Sequence, residues 1–129
     1  MPPSASSEGK AVEWMGSSRK DIRECPDGVK DALGYAHHLA QHGSTHPNAK
    51  PMKGALREVM EVAADEDRAT YRGMYTVKLA GVVYVLHVFK KKSTQGIKTA
   101  KRELDVIAKR LAAARDHYQQ HYASRPADP

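Results

Sequence analysis

Val82-Val83-Tyr84-Val85-Leu86-His87-Val88-Phe89-Lys90-Lys91-Lys92-Ser93 is the stretch from which the rest of the chain can be read. From Val82 to Phe89 only His87 interrupts a run of apolar and aromatic side chains. A strand that is apolar on both faces is expected to be buried on both, as at the centre of a sheet. Period-two alternation puts His87 in phase with Val85 and Phe89, and Lys91 in the same phase. Three ammonium groups follow the apolar run directly, so a rigid strand is expected to carry positive charge to one edge of the sheet. Such an edge can present cations to a phosphate chain.

The remaining composition fits that reading. With 129 residues the chain has room for one domain with a core, and its formal charge of +6 suggests an anionic partner. The charge is local. Residues 89–115 hold nine Lys or Arg and two acids, leaving a net of −1 for all other segments. Cys25 is the only cysteine, so no internal disulfide can form, which favours a reducing compartment. No apolar run approaches the ~20 residues that cross a bilayer, and MPPSASSEGK has no apolar signal-peptide core. The expectation is a cytoplasmic protein without membrane contact. Residues 1–10 are expected to be disordered, 11–122 to form one domain, and 123–129 to be a frayed tail.

Working outward, Ala11 to Met15 reads as a first strand. Ser17 or Ser18 is expected to cap a short helix reaching Cys25. Pro26 and Asp27 start another helix, on which Val29, Ala32, Leu33, Ala36, Leu39 and Ala40 recur at helical spacing before Gly43 stops it. Residues 44–54 read as a loop carrying Lys50 and Lys53. Leu56 to Ala64 reads as a strand, residues 65–68 as a polar turn, and Thr70 to Leu79 as an alternating strand. Ala80-Gly81 turns into the opening stretch. A final helix, N-capped at Thr99, carries the stripe Ile97, Ala100, Leu104, Ile107, Ala108, Leu111 and Tyr118, with Lys98, Arg102 and Lys109 nearly opposite. The order β-α-α-β-β-β-α gives an α+β fold, with a helical hairpin and a C-terminal helix packed on an antiparallel sheet.

Five blocks in order resemble one family. They are Gly16-Ser17-Ser18-Arg19-Lys20-Asp21, Lys50-Pro51-Met52-Lys53-Gly54, Thr70-Tyr71-Arg72, Tyr84 to Ser93, and Gly96-Ile97-Lys98-Thr99 through Arg110-Leu111. The fourth is similar to a Leu-His-x-Phe-x-Lys-Lys-Ser pattern. Together the blocks resemble the RelE/ParE superfamily of bacterial toxins, in its HigB-like, phage-related Gp49 branch. Two departures stand out: Ala100 replaces a proline often found after the helix-opening threonine, and the turn at 65–68 lacks a glycine usually found nearby.

The resemblance implies a RelE-like fold and the toxin of a type II toxin–antitoxin pair. Such a toxin is a ribosome-dependent endoribonuclease without metal or organic cofactor. Its implied partners are the ribosome, mRNA and an antitoxin, commonly of helix-turn-helix type. Lys91 and Lys92 match the family's paired lysines, and Arg72 its arginine after tyrosine. These are expected to stabilise charge on the scissile phosphate, with His87 as a candidate acid or base. Lys50, Lys53, Lys90 and Lys98 are expected to contact RNA.

Plainer readings stand beside these. The lysines can be charged gatekeepers that end a sticky strand. Arg72 can simply pair with Glu58 or Glu61, and His87 can be a buried histidine bonded to backbone. His38/His42 and His117/His121 are spaced one helical turn apart but lack a clear third ligand, so no metal site is expected. Of Tyr71, Tyr75 and Tyr84, two are expected in the core. Two other functional classes share the charge pattern: a ParE-like gyrase poison that cuts no RNA, and a degenerate domain that only binds nucleic acid or an antitoxin.

Overall fold

Helices cover both faces of a five-stranded sheet in the computed structural model, which describes residues 9–91 and 100–123. The strands are β1 (Ala11–Trp14), β2 (Ala49–Pro51), β3 (Met60–Glu66), β4 (Ala69–Thr76) and β5 (Val82–Lys91). The helices are α1 (Ser18–Arg23), α2 (Asp27–Gln41) and α3 (Lys101–Tyr118), the last running into a π-helical turn over Gln119–Ala123. The sheet order is β1-β5-β4-β3-β2. The sheet is antiparallel except at one edge, where β1 runs parallel to β5 with Ala11 opposite Val82.

β5 is the central strand in burial as well as in composition: Val82 through Val88 are all buried. Val83, Val85 and Val88 pack with Val62 and Tyr75 beneath Val29, Leu33, Ala36 and Ala40 of α2. Val82, Tyr84 and Leu86 pack on the other face with Val59 and Met74 beneath Ile107, Leu111 and Ala114 of α3. A strand with no solvent face needs no polar alternation, so the apolar run is the direct mark of the two covering layers.

The alternation does not run unbroken. Met74 pairs with His87 and Tyr75 with Val85, so Leu86 is a supernumerary residue opposite β4. This bulge lets Leu86 and His87 both face α3 and shifts the phase of the rest of the strand. His87 therefore shares a face with Phe89, as expected, but Val85 lies on the opposite one.

Other boundaries moved for local reasons. A short strand, β2, pairs with β3 where a loop was expected; Pro51 ends it at the sheet edge, where a missing N–H costs no ladder bond. Residues Gly54–Leu56 form a 3-10 turn closed by Arg57 N–H to the Gly54 carbonyl, so β3 starts at Met60 rather than Leu56. Neither Ser17 nor Ser18 caps α1 through its side chain. The Ser17 hydroxyl donates to Asp21 (2.7 Å), and the buried Ser18 hydroxyl donates to the Val85 carbonyl (3.2 Å), tying α1 to β5. In α3, Ala108 is exposed and Ala114 takes the buried place. The expected Thr99 cap and Ile97 lie outside the described residues.

Candidate functional site

The face beneath α3 gathers most of the chemistry. Directly opposed antiparallel residues share a face, so Lys50, Glu61, Met74 and His87 form one row across β2, β3, β4 and β5. The next row holds Ala63, Arg72 and Phe89, and beyond it lie Asp65, Thr70 and Lys91. Arg72, Phe89 and Lys91 thus lie together at one end of this face, with Lys50 on its far margin. Lys90 points the other way, its ammonium 6.0 Å over the Tyr71 ring. Lys53 is exposed in the loop after β2. Lys92 and Lys98 lie outside the described residues.

Arg72 has a carboxylate partner. Its guanidinium pairs with Glu61, and the two side chains are only 15% and 10% exposed. A planar guanidinium held this way has a fixed direction, which matters more for recognising a planar or tetrahedral anion than charge alone.

His87 is engaged at both ring nitrogens. Arg110 donates to Nδ1 (3.2 Å), which makes that nitrogen the acceptor and leaves the proton on Nε2, facing Glu103 at 2.6 Å. The ring also stacks on Phe89, with centroids 4.9 Å apart. Both nitrogens thus have protein partners in this arrangement. The histidine ties α3 to β5 and stacks on Phe89, the cross-strand neighbour of Arg72.

Arg110 extends this connection, donating to the Leu86 carbonyl (3.1 Å) and to the Ser17 hydroxyl (3.3 Å). A continuous polar chain runs from Asp21 through Ser17, Arg110 and His87 to Glu103, joining α1, β5 and α3. Gly16 makes room for it. Its φ is +56°, and a Cβ there would lie 2.4 Å from Arg110 Nε.

The tyrosines divide between core and margin. Tyr75 and Tyr84 are fully buried, and Tyr71 is half-buried under Lys90. Burial first, then the nearby Glu13, pushes the Tyr84 hydroxyl up to about 12, so it stays protonated and bonds His117 Nδ1 at 2.8 Å. The rings of His38/His42 and His117/His121 lie with centroids 4.6 and 4.3 Å apart, tilted to one another. Among the described residues no three His, Cys, Asp or Glu are grouped to hold a metal ion.

Residues 20–112 match the family described as Phage derived protein Gp49-like (DUF891), well over half the sequence. The chain belongs to this family. Among solved structures, the Gp49-like chain is similar to one in the toxin–antitoxin complex RelBE2 from Mycobacterium tuberculosis. That likeness has 17% identity and a TM-score of 0.47, and covers 64% of this chain and 99% of that one. No curated protein matches.

The family match spans Arg72, His87, Lys91, Lys92, Glu103 and Arg110. The roles of Glu103 and Arg110 in this Gp49-like chain were missed from the sequence. A signal was there: Glu103, Ile107, Arg110 and Ala114 recur at helical spacing, so two ionisable groups lie on the buried stripe of α3. Ionisable groups on a buried stripe need partners. Glu61, one of the two acids the sequence offers Arg72, is itself buried.

Proposed function

We propose that the chain is the toxin of a type II toxin–antitoxin system and cleaves translated mRNA. Membership of the Gp49-like family supports the reading, and the observation that carries it is the placement of Arg72 and Lys91 at one end of one sheet face, with Phe89 between them. Cleavage by attack of a ribose 2′-OH on the adjacent phosphate builds negative charge on that phosphate. Fixed cations stabilise it, one donor of this kind typically contributing a factor of about 10²–10³ in rate. Lys91 supplies a point charge from a rigid strand, and Lys92 extends it along the chain. Arg72 supplies a directed guanidinium aimed by Glu61, and Phe89 offers an aromatic surface for an unstacked base. Lys50 and Lys53 lie where a longer message can contact them. His87 is a positioning residue. An antitoxin that neutralises the toxin is its protein partner, and the expected setting is the cytoplasm.

The test compares 5′ ends of a translated message with those of the same message lacking its start codon, after brief expression of the chain. Cuts confined to the translated copy are expected. Lys91→Ala combined with Lys92→Ala should lower cutting by at least about 100-fold while the far-UV CD spectrum is unchanged. Wild-type cutting by that variant removes the lysines from the site.

A second reading is a ParE-like poison of gyrase that cuts no RNA. It is favoured by the ion pair of Arg72 with buried Glu61, because a neutralised cation attracts phosphate less strongly. Growth arrest with intact messages, and loss of supercoiling by purified gyrase, would select it.

A further inference from the structure

On the sheet face opposite Lys91, and at the other end of the strands, lies a cavity of about 390 Å³. Met60, Tyr75 and Val77 form its apolar wall, all belonging to the core layer beneath α2. Tyr75 and Thr70, the cross-strand partner of Lys91, are five residues apart along β4, roughly 17 Å at the rise of a strand. The cavity is therefore separate from the site proposed above.

Its rim is basic. Lys10, Arg57 and Lys78 are among its lining residues, and Glu58, the one acid among the described lining residues, is bound to Arg115 at 2.6 Å. The Arg115 guanidinium also holds the Glu58 carboxyl below its usual range. Its hydrogen-bonded cation, Arg115, lies outside the cavity lining, while Arg57 and Lys78 act on Glu58 only through the weaker field of nearby charges. Neither the Lys10 nor the Lys78 ammonium has a carboxylate partner among the described residues. The Lys10 backbone is anchored: its N–H donates to the Gln41 carbonyl, and its carbonyl accepts from Gln41 Nε2, both at 2.9 Å. An apolar recess ringed by cations fits a large apolar side chain with carboxylates on either side.

We propose that this cavity docks an acidic segment of a partner protein, which inserts one aliphatic or aromatic anchor against Met60 and Val77. The partner is the neutralising protein of the reading above, on which the inference rests. The partner is thereby held at a distance from Arg72 and Lys91.

The test uses the full chain and the protein encoded next to it. Lys10→Glu with Lys78→Glu reverses two rim charges on residues outside the Arg72–Lys91 face. The double variant should arrest growth as the wild type does, yet no longer be rescued by co-expression of the neighbouring protein. Its Kd for that protein should rise at least about tenfold, with a flatter salt dependence. The milder Lys10→Ser with Lys78→Ser should give a smaller rise in the same direction. If both variants are neutralised like wild type, the cavity is not the docking point, although the toxin reading stands. If the neighbouring protein does not rescue wild-type cells either, the reading and the inference fall together. Concentration-dependent self-association of the wild type, lost in the double variant, would assign the cavity to a second copy and overturn the proposal.

Discussion

His37 shows how much a single residue can decide. It is 4% exposed, its ring meets Trp14 and Tyr75 edge-on, and neither ring nitrogen has a hydrogen-bond partner among the described residues. Burial pushes its pKa down to about 4. Above the ordinary value near 6.5 the ring is neutral in both folded and unfolded chains. As pH falls from 6.5 to about 4, only the unfolded chain takes up the proton, so stability falls across that window, by up to about 3 kcal/mol. Urea titrations at pH 7, 5.5 and 4.5 should show the decline, and His37→Phe should remove one proton's share of the slope. An unchanged slope would mean that the ring is solvated. Arg72 illustrates the limit of reading residues singly. Its pairing with Glu61 was foreseen as the plainer alternative to phosphate binding, yet the pairing also gives the guanidinium its direction, so the two readings are compatible in space. Glu61→Gln should leave the fold intact and weaken whatever activity depends on Arg72.

At the scale of elements, the β3–β4 hairpin carries visible strain. Asp67 and Arg68 both have positive φ, 53° and 68°, in a two-residue turn between the paired Glu66 and Ala69. Such turns normally take Asn-Gly or Asp-Gly. The missing glycine noted in the sequence therefore has a local cost, offset in part by the Thr70 hydroxyl bonding Asp65 at 2.8 Å. Arg68→Gly should raise stability by about 1 kcal/mol, read as a higher urea midpoint at constant m. The joint between α1, β5 and α3 makes a second prediction. Arg110→Ala strands the Leu86 carbonyl and His87 Nδ1 and should cost about 2–3 kcal/mol, and Arg110→Lys should not restore it, since an ammonium cannot span the same acceptors. Gly16→Ala should be destabilising alone and less than additive with Arg110→Ala, because the clash needs both partners. The elements themselves were largely legible: the apolar run marked β5, and hydrophobic period marked β4, α2 and α3, because burial alone sets those patterns. The joint was not. A bond between residues 17 and 110 leaves no mark in local periodicity.

For the molecule as a whole, the sheet separates two surfaces. One face and end bear Arg72, Phe89 and Lys91, and the other face and end bear the cavity rimmed by Lys10 and Lys78. The lysine end of the first surface stood out in the sequence because its charges are contiguous after Phe89, whereas Arg72 stood out only through the family resemblance. The second is assembled from residues 10, 57 and 78, which no window of sequence brings together. The parallel edge was also hidden, since strand direction follows from where the chain crosses rather than from what β1 contains. Which face each charge occupies depends on the one extra residue at Leu86. A molecule aimed by such a count is tolerant of changes in kind and intolerant of changes in number. Leu86→Met should pass almost unnoticed, whereas removing Leu86 would send either the first half of β5 or its lysine end to the wrong side. Relatives that differ freely in the composition of this strand should therefore still agree on its length.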